Sequence, residues 1–118
     1  TCALPILVID PEKRFGASPM ELVLMGAAGC SSYDVVSILK KGRQDVRDVT
    51  VEMDADRADT EPKVFTRIHF RFIVTGRQLK PELVERAISL SAEKYCSASI
   101  MLGKTAVITH DFSLIEVE

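Results

Sequence analysis

Few side chains in this sequence can do covalent or metal chemistry: three cysteines (Cys2, Cys30 and Cys96) and two histidines (His69 and His110). A cysteine attacks or ligates as its thiolate, which a cation or a helix N-terminus stabilises. Common zinc sites take ligands in close pairs, C-x₂₋₄-C or H-x₃₋₅-H, and no two of these five residues stand at such spacing. On spacing, then, no metal site is expected. No glycine-rich loop follows a strand as phosphate or dinucleotide cofactors require, so no cofactor is expected either. His69 and His110 fall in strand patterns and read as sheet-face residues, with no serine–histidine arrangement to suggest hydrolysis. The residues alone leave two open readings, thiol activity and cysteines that merely pack.

Each thiol has a bland reading beside the reactive one. A lone cysteine on an apolar helix is most often a small buried hydrophobe. Cys30 closes a run that is apolar or small on every side, Leu22 to Cys30, just before polarity returns with Ser31, Ser32 and Asp34. It lies too far along its helix to draw on that helix's dipole, so a stabilising cation has to come from elsewhere. Cys96 stands at an apparent break before a short helical piece beginning near Ser97, where a helix N-terminus could favour its thiolate. Cys2 is left without a role.

The elements that must position these thiols are legible in outline. Leu4 to Asp10 reads as a strand ending at Pro11. Ser18-Pro19-Met20-Glu21 opens a helix: Ser18 caps, Pro19 suits the first helical position and Glu21 completes a capping box. That helix should run to about Lys41 and stop at Gly42. An all-round apolar helix is expected to be buried all round. Gly26 and Gly29 each cost about 1 kcal/mol relative to alanine, which close approach of another backbone would offset. Val49, Val51, Met53 and Ala55 alternate as one strand. After Asp59-Thr60-Glu61-Pro62, a second strand sets Val64, Thr66, Ile68, Phe70, Phe72 and Val74 on one face, and an antiparallel pair follows from the short connection. Pro81 opens a second helix with Leu83, Ala87, Ile88 and Ser91 inward. It breaks around Tyr95-Cys96-Ser97, restarts to Leu102 and ends at Gly103, ahead of a strand from Thr105 to Val117. The order β–α–β–β–α–β is α+β, a mainly antiparallel sheet wrapped around one long buried helix.

Composition narrows the classes. A chain of 118 residues that is 47% apolar fits a single domain spanning 1–118. Net charge is −2, from 15 basic and 17 acidic residues that are interspersed, so the electrostatic footprint of nucleic-acid binding is missing. The longest apolar run is short of the roughly 20 residues of a membrane span, and no secretory signal is visible. Three irregularly spaced cysteines are no secreted framework; the expectation is a cytoplasmic protein with reactive or buried thiols.

Ser18-Pro19-Met20-Glu21-Leu22 through Gly26-Ala27-Ala28-Gly29-Cys30, together with Glu93-Lys94-Tyr95-Cys96-Ser97, resembles the OsmC/Ohr family, the osmotically inducible and organic hydroperoxide resistance proteins, and within it the YhfA-like branch. The resemblance covers nearly the whole chain, including the spacing between the cysteines. It implies an OsmC-like fold, with an N-terminal hairpin expected ahead of Thr1, in an intertwined homodimer that buries the long helices between subunits. It also implies that Cys30 is the peroxidatic cysteine, that Cys96 closes a Cys30–Cys96 disulfide, and that an external dithiol reductant reopens it. The peroxide substrate would be organic or hydrogen peroxide. In the hydroperoxide branch a glutamate follows the helix-opening proline and pairs with an arginine of the N-terminal hairpin; here that position is Met20, and the role does not transfer to Arg14. Two other readings stand beside this one: a catalytically diverged relative that binds an apolar small molecule at the dimer interface, and a protein whose cysteines only pack.

Overall fold

The computed structural model describes residue 12 and residues 16–118. Cys2, Arg14 and the expected strand over residues 4–10 lie outside the described residues. In chain order the elements are α1 (Pro19–Lys41), β1 (Asp45–Arg57), β2 (Phe65–Arg77), α2 (Pro81–Leu90), a π-helical turn (Ser91–Tyr95), α3 (Ser97–Leu102) and β3 (Val107–Glu116). The fold is α+β, with α1, α2 and α3 laid on one face of a three-stranded sheet of order β1-β2-β3.

Both ends of α1 follow from local chemistry. The Glu21 N–H donates to Ser18 Oγ at 3.3 Å and the Ser18 N–H to Glu21 Oε1 at 3.0 Å, the reciprocal capping box. At the other end Lys40 and Lys41 face the negative pole of the helix and the Gly42 N–H donates to the Ile38 carbonyl. Gly42 stops the helix without entering the left-handed region. Arg43 does so instead, with φ of 61°, and turns the chain toward β1.

β1 and β2 pair antiparallel, with Val49 opposite Val74, Val51 opposite Phe72 and Met53 opposite Phe70. β3 runs parallel to β2, Ile68 beside Ile108 and Phe72 beside Phe112, so the sheet is mixed. The parallel pairing comes from the long helical connection through α2 and α3, which carries the chain back to the end of the sheet where β2 began. On β2 the inward side chains are Ile68, Phe70, Phe72 and Val74. The expected face continues to Val64 only in pattern. A register shift between Asp56 and Arg57 turns Phe65 inward and leaves Val64 exposed. Gly76 is required where β2 meets the start of β1, because a side chain there would collide with the Asp45 carbonyl oxygen and the Leu79 side chain.

One chain covers the faces of α1 unequally. α1 buries a single stripe of Ala27, Ser31, Val35 and Leu39 against β2 and α2. Within one chain it is not buried all round: Val23, Met25 and Tyr33 are exposed, Tyr33 by 75%. A Cβ at Gly26 or Gly29 would meet nothing within 4 Å, so the close backbone approach expected there is not made by this chain. α1 is also long and apolar enough on average to match a bilayer, but its buried stripe packs into the α/β core. Truncation of that stripe should be costly. Leu39→Ala is expected to lower unfolding free energy by about 2–5 kcal/mol, read from urea denaturation.

Candidate functional site: a thiol pair where two helices meet

α1 and α3 meet at the two sulfurs. Cys30 ends the small-residue run of α1 one position before the buried stripe resumes at Ser31. Cys96 is released by the π-helical turn into an extended conformation, φ −81° and ψ 99°, and caps α3. The widened π turn is what the sequence registers as a break around Tyr95-Cys96-Ser97; such turns are frequent at functional sites. In consequence residues 66 positions apart in sequence bring their sulfurs within 4.8 Å of each other. Both cysteines are reduced. A disulfide needs about 2.05 Å between sulfurs, a gap that side-chain rotation has to close.

The two thiols differ in access and in charge. Cys96 is 0% exposed, whereas Cys30 is half-buried. Burial by itself pushes the Cys96 thiol up, but hydrogen bonds outweigh it and hold its pKa below the ordinary thiol value. Ser31 Oγ donates to Cys96 Sγ at 3.3 Å and lies 3.3 Å from Ser99 Oγ, while the Ser99 backbone N–H donates to the same sulfur at 3.4 Å. That amide belongs to the first turn of α3, so Cys96 holds the sulfur version of an N-cap bond. When protonated, Cys96 reaches the Ala27 carbonyl only at 3.9 Å. Cys30 is pushed the other way. Burial is the largest cause, followed by its bond to Cys96 and the nearby charges of Cys96 and Asp34; the Ala98 N–H pulls back without offsetting them. The pair therefore ionises first at Cys96, with the Cys30 S–H donating to that thiolate.

Asp34 completes the cluster. One helical turn beyond Cys30 on α1, its carboxylate lies within 4.8 Å of both sulfurs, and Ser91 Oγ donates to Asp34 Oδ2 at 2.9 Å. The expectation of no metal site rested on short spacing among cysteines and histidines; the fold sets two thiols from two helices beside a carboxylate, and among the described residues this is the group that could hold an ion. The histidines are not among them. His69 sits on the outer face of the sheet, Nδ1 2.7 Å from Thr109 Oγ1 and Nε2 3.1 Å from Asp111 Oδ1, as a sheet-face residue should. His110 shares with Ser31 and Ser99 the lining of a void of about 10 Å³, room for about one water.

Sequence reasoning missed Asp34, Ser31, Ser91 and Ser99 as members of the site. Two local signals were available: Asp34 four residues after Cys30, and Ser99 three residues after a helix-capping Cys96. Ser31 and Ser91 join through tertiary packing alone. Removing the carboxylate charge with Asp34→Asn is expected to lower the Cys30 pKa, so that alkylation of Cys30 by iodoacetamide, followed by peptide mass spectrometry across pH, sets in at lower pH than in wild type. Ser31→Ala should move Cys96 in the opposite direction by removing a donor to its thiolate.

Comparison with known proteins identifies the family and the fold. The model of the family described as OsmC-like protein matches residues 10–111. Protein YhfA of Escherichia coli K12 is 56% identical over 98 residues, 83% of this chain and 73% of that protein. The crystal structure of an OsmC-like protein from Mycoplasma pneumoniae superposes with a TM-score of 0.80 at 13% identity, covering 93% of this chain and 82% of that one. The organic hydroperoxide resistance protein OhrB of Bacillus subtilis does so with a TM-score of 0.62 at 14% identity, covering 86% and 74%. At such identities the two structures share the fold.

Proposed function

The chain belongs to the OsmC-like protein family, and from that premise we propose that it is a cysteine-based hydroperoxide reductase with Cys30 as the attacking thiol and Cys96 as its resolving partner. What supports the proposal is the division of properties within the pair: Cys30 is the more accessible sulfur, and Cys96 is a fully buried sulfur, within 4.8 Å of it, whose pKa hydrogen bonds hold below the ordinary thiol value. Some members of the family are organic hydroperoxide resistance proteins.

The steps balance. Cys30 passes its proton to Cys96 along their hydrogen bond. The Cys30 thiolate attacks one peroxide oxygen, the O–O bond breaks, and the departing alkoxide takes a proton to leave as alcohol, or as water from hydrogen peroxide. Cys30 is then a sulfenic acid. Cys96, its thiolate favoured by Ser31 and Ser99, attacks the Cys30 sulfur; the S–O bond breaks, hydroxide leaves as water with a proton, and a disulfide remains. An external dithiol returns both cysteines to thiols and takes up the oxidation as its own disulfide. No metal, flavin or nicotinamide enters these steps. Reduced thiols of this kind suit the cytoplasm.

The reading extends to a homodimer through the outer side of α1. Val23, Met25 and Tyr33 present an uncovered apolar strip, and the open space over Gly26 and Gly29 lets a second helix approach closely. An apolar-ligand carrier is the second reading. It draws on a cleft of about 340 Å³ lined by Asp34, Ser37, Ile38, Lys41, Leu90 and Tyr95. Steady-state peroxide consumption with a dithiol present decides between the two, since a carrier turns nothing over.

With one equivalent of cumene hydroperoxide, wild type should lose two thiols to a Cys30–Cys96 disulfide, while Cys96→Ser stops at a sulfenic acid on Cys30. Both cysteines remaining reduced by mass spectrometry would refute the peroxidase reading. Because attack requires the pair to have lost one proton, the single-turnover rate should climb with pH as the pair ionises and then level. A rate that falls as pH rises through that range would count against a thiolate nucleophile in this pair. Met25→Glu should convert the dimer to monomer in light scattering; a monomeric wild type, or a variant that stays dimeric, rules out this face.

A further inference from the structure

Two soft donors and one hard donor converge at the α1–α3 junction, and their surroundings are those of a metal-thiolate centre. We propose that the reduced protein binds one zinc-type divalent cation through Cys30 Sγ, Cys96 Sγ and an Asp34 carboxylate oxygen, with the fourth position left to water or an incoming ligand. The inference is independent of peroxide turnover.

Geometry comes first. The three donor atoms lie within 4.8 Å of one another. Tetrahedral zinc, with Zn–S near 2.3 Å and Zn–O near 2.1 Å, sets its donors roughly 3.5–3.8 Å apart. Side-chain rotations close that difference, with α1 and α3 left in place. Three protein ligands and one open position is also the coordination of zinc sites that stay accessible to an exchanging ligand.

The groups around the ligands supply the second argument. Zinc ligands are held and tuned by outer hydrogen bonds, and Asp34 and Cys96 have them here. Ser91 Oγ holds the Asp34 carboxylate at 2.9 Å. Ser31 Oγ and the Ser99 N–H donate to Cys96. In a metal centre both sulfurs are thiolates at once. Without an ion that state sets two negative sulfurs and a carboxylate together, and a shared proton has to relieve it. A divalent cation replaces the proton and neutralises more of the charge. Thiolates select zinc over magnesium or calcium.

Zinc and the disulfide exclude each other at this site, because a bridged sulfur has no thiolate to donate. A hydroperoxide that oxidises the zinc-bound pair takes two electrons from the thiolates and two protons from solvent. It leaves as alcohol and water, and the ion is released from a site reduced to one carboxylate.

The test uses the full chain, reduced and freed of dithiol, with zinc chloride alone in competition with a chromogenic zinc indicator. One equivalent should be held by wild type. Cys30→Ser and Cys96→Ser should each abolish that binding, and Asp34→Asn should weaken it by about tenfold or more. Zinc should also protect both cysteines of wild type from alkylation. Failure of reduced wild type to retain zinc, or retention unchanged in Cys30→Ser, overturns the site; unchanged affinity in Asp34→Asn overturns the three-ligand assignment. Circular dichroism checks each variant's fold, and cobalt in wild type gives a readout that needs no variant. A thiolate-to-cobalt charge-transfer band with tetrahedral d–d intensity supports the site, and an octahedral oxygen spectrum refutes it. Disulfide formation with peroxide but no zinc affinity defeats this proposal alone; zinc affinity with inert thiols defeats the peroxidase reading alone.

Discussion

The placement of one negative charge at the α1–α3 junction governs the rest of the site. A buried thiolate loses its hydration, and the loss has to be returned by donors already in position. Here they come from two elements at once: the Ser31 hydroxyl on α1 and the Ser99 amide in the first turn of α3. Neither is useful without the other element. If α3 began one residue later, its first free amide would miss the sulfur; if Ser31 were turned off the buried stripe of α1, its hydroxyl would face solvent. Docking of the helices and chemistry of the thiol are therefore the same contact. That contact explains a buried polar pair, Ser31 and Ser99, within an otherwise apolar stripe.

The π-helical turn is the local device that makes this possible. Continuing α2 as a regular helix would carry Cys96 around the axis with its amide and carbonyl committed to the helix. The wider turn over Ser91–Tyr95 ends the helical run at Tyr95 instead, puts Cys96 in extended backbone, and frees it to cap α3. The Cys96 N–H stays satisfied by donating to the Ser91 carbonyl at 2.7 Å. Ser91 thus serves twice: its carbonyl closes the π turn and its hydroxyl fixes Asp34. The helix break and the acidic neighbour of the thiols are linked through this residue.

How much of this was readable in sequence depended on whether the cause was local. The Ser18–Glu21 capping box, the alternation of Val49 to Ala55 and the break before Cys96 are set by neighbours within a turn or a strand, and the structure places them as read. Ile68 to Val74 obey period two, but Val64 and Phe65 exchange sides because a register shift is a property of the strand pair, which one strand's pattern does not record. β3 pairs parallel because of its helical crossover, a fact of topology. The all-round apolarity of α1 reads as all-round burial, with the partner subunit of the implied dimer as part of the cover. Composition tells how apolar a face is and leaves open what covers it, and one chain covers only the Ala27–Leu39 stripe. The pairing of Cys30 with Cys96 came from family resemblance. Asp34 and the serines came from packing, except for the four-residue step from Cys30 to Asp34 that a helix face makes visible.

The asymmetry of the thiols turns an apparent defect into a coherent arrangement. A peroxide-attacking cysteine is commonly assisted by a cation that lowers its pKa, yet burial, Cys96 and Asp34 raise that of Cys30. The same interaction that raises Cys30 lowers Cys96, because the Cys30 S–H is a donor to the Cys96 thiolate. Moving that one proton across the hydrogen bond exchanges the two roles without any charge entering or leaving the site. Cys96 can therefore serve as the base that unmasks Cys30 and, once Cys30 is oxidised and the proton has gone to the leaving oxygen, as the nucleophile that resolves it. Burial, Cys96 and Asp34 together oppose a thiolate at Cys30, so negative charge on the pair is favoured at the sulfur that solvent cannot reach. Charge placed there is shielded from adventitious oxidation, and the half-buried Cys30 becomes reactive only when it gives up its proton.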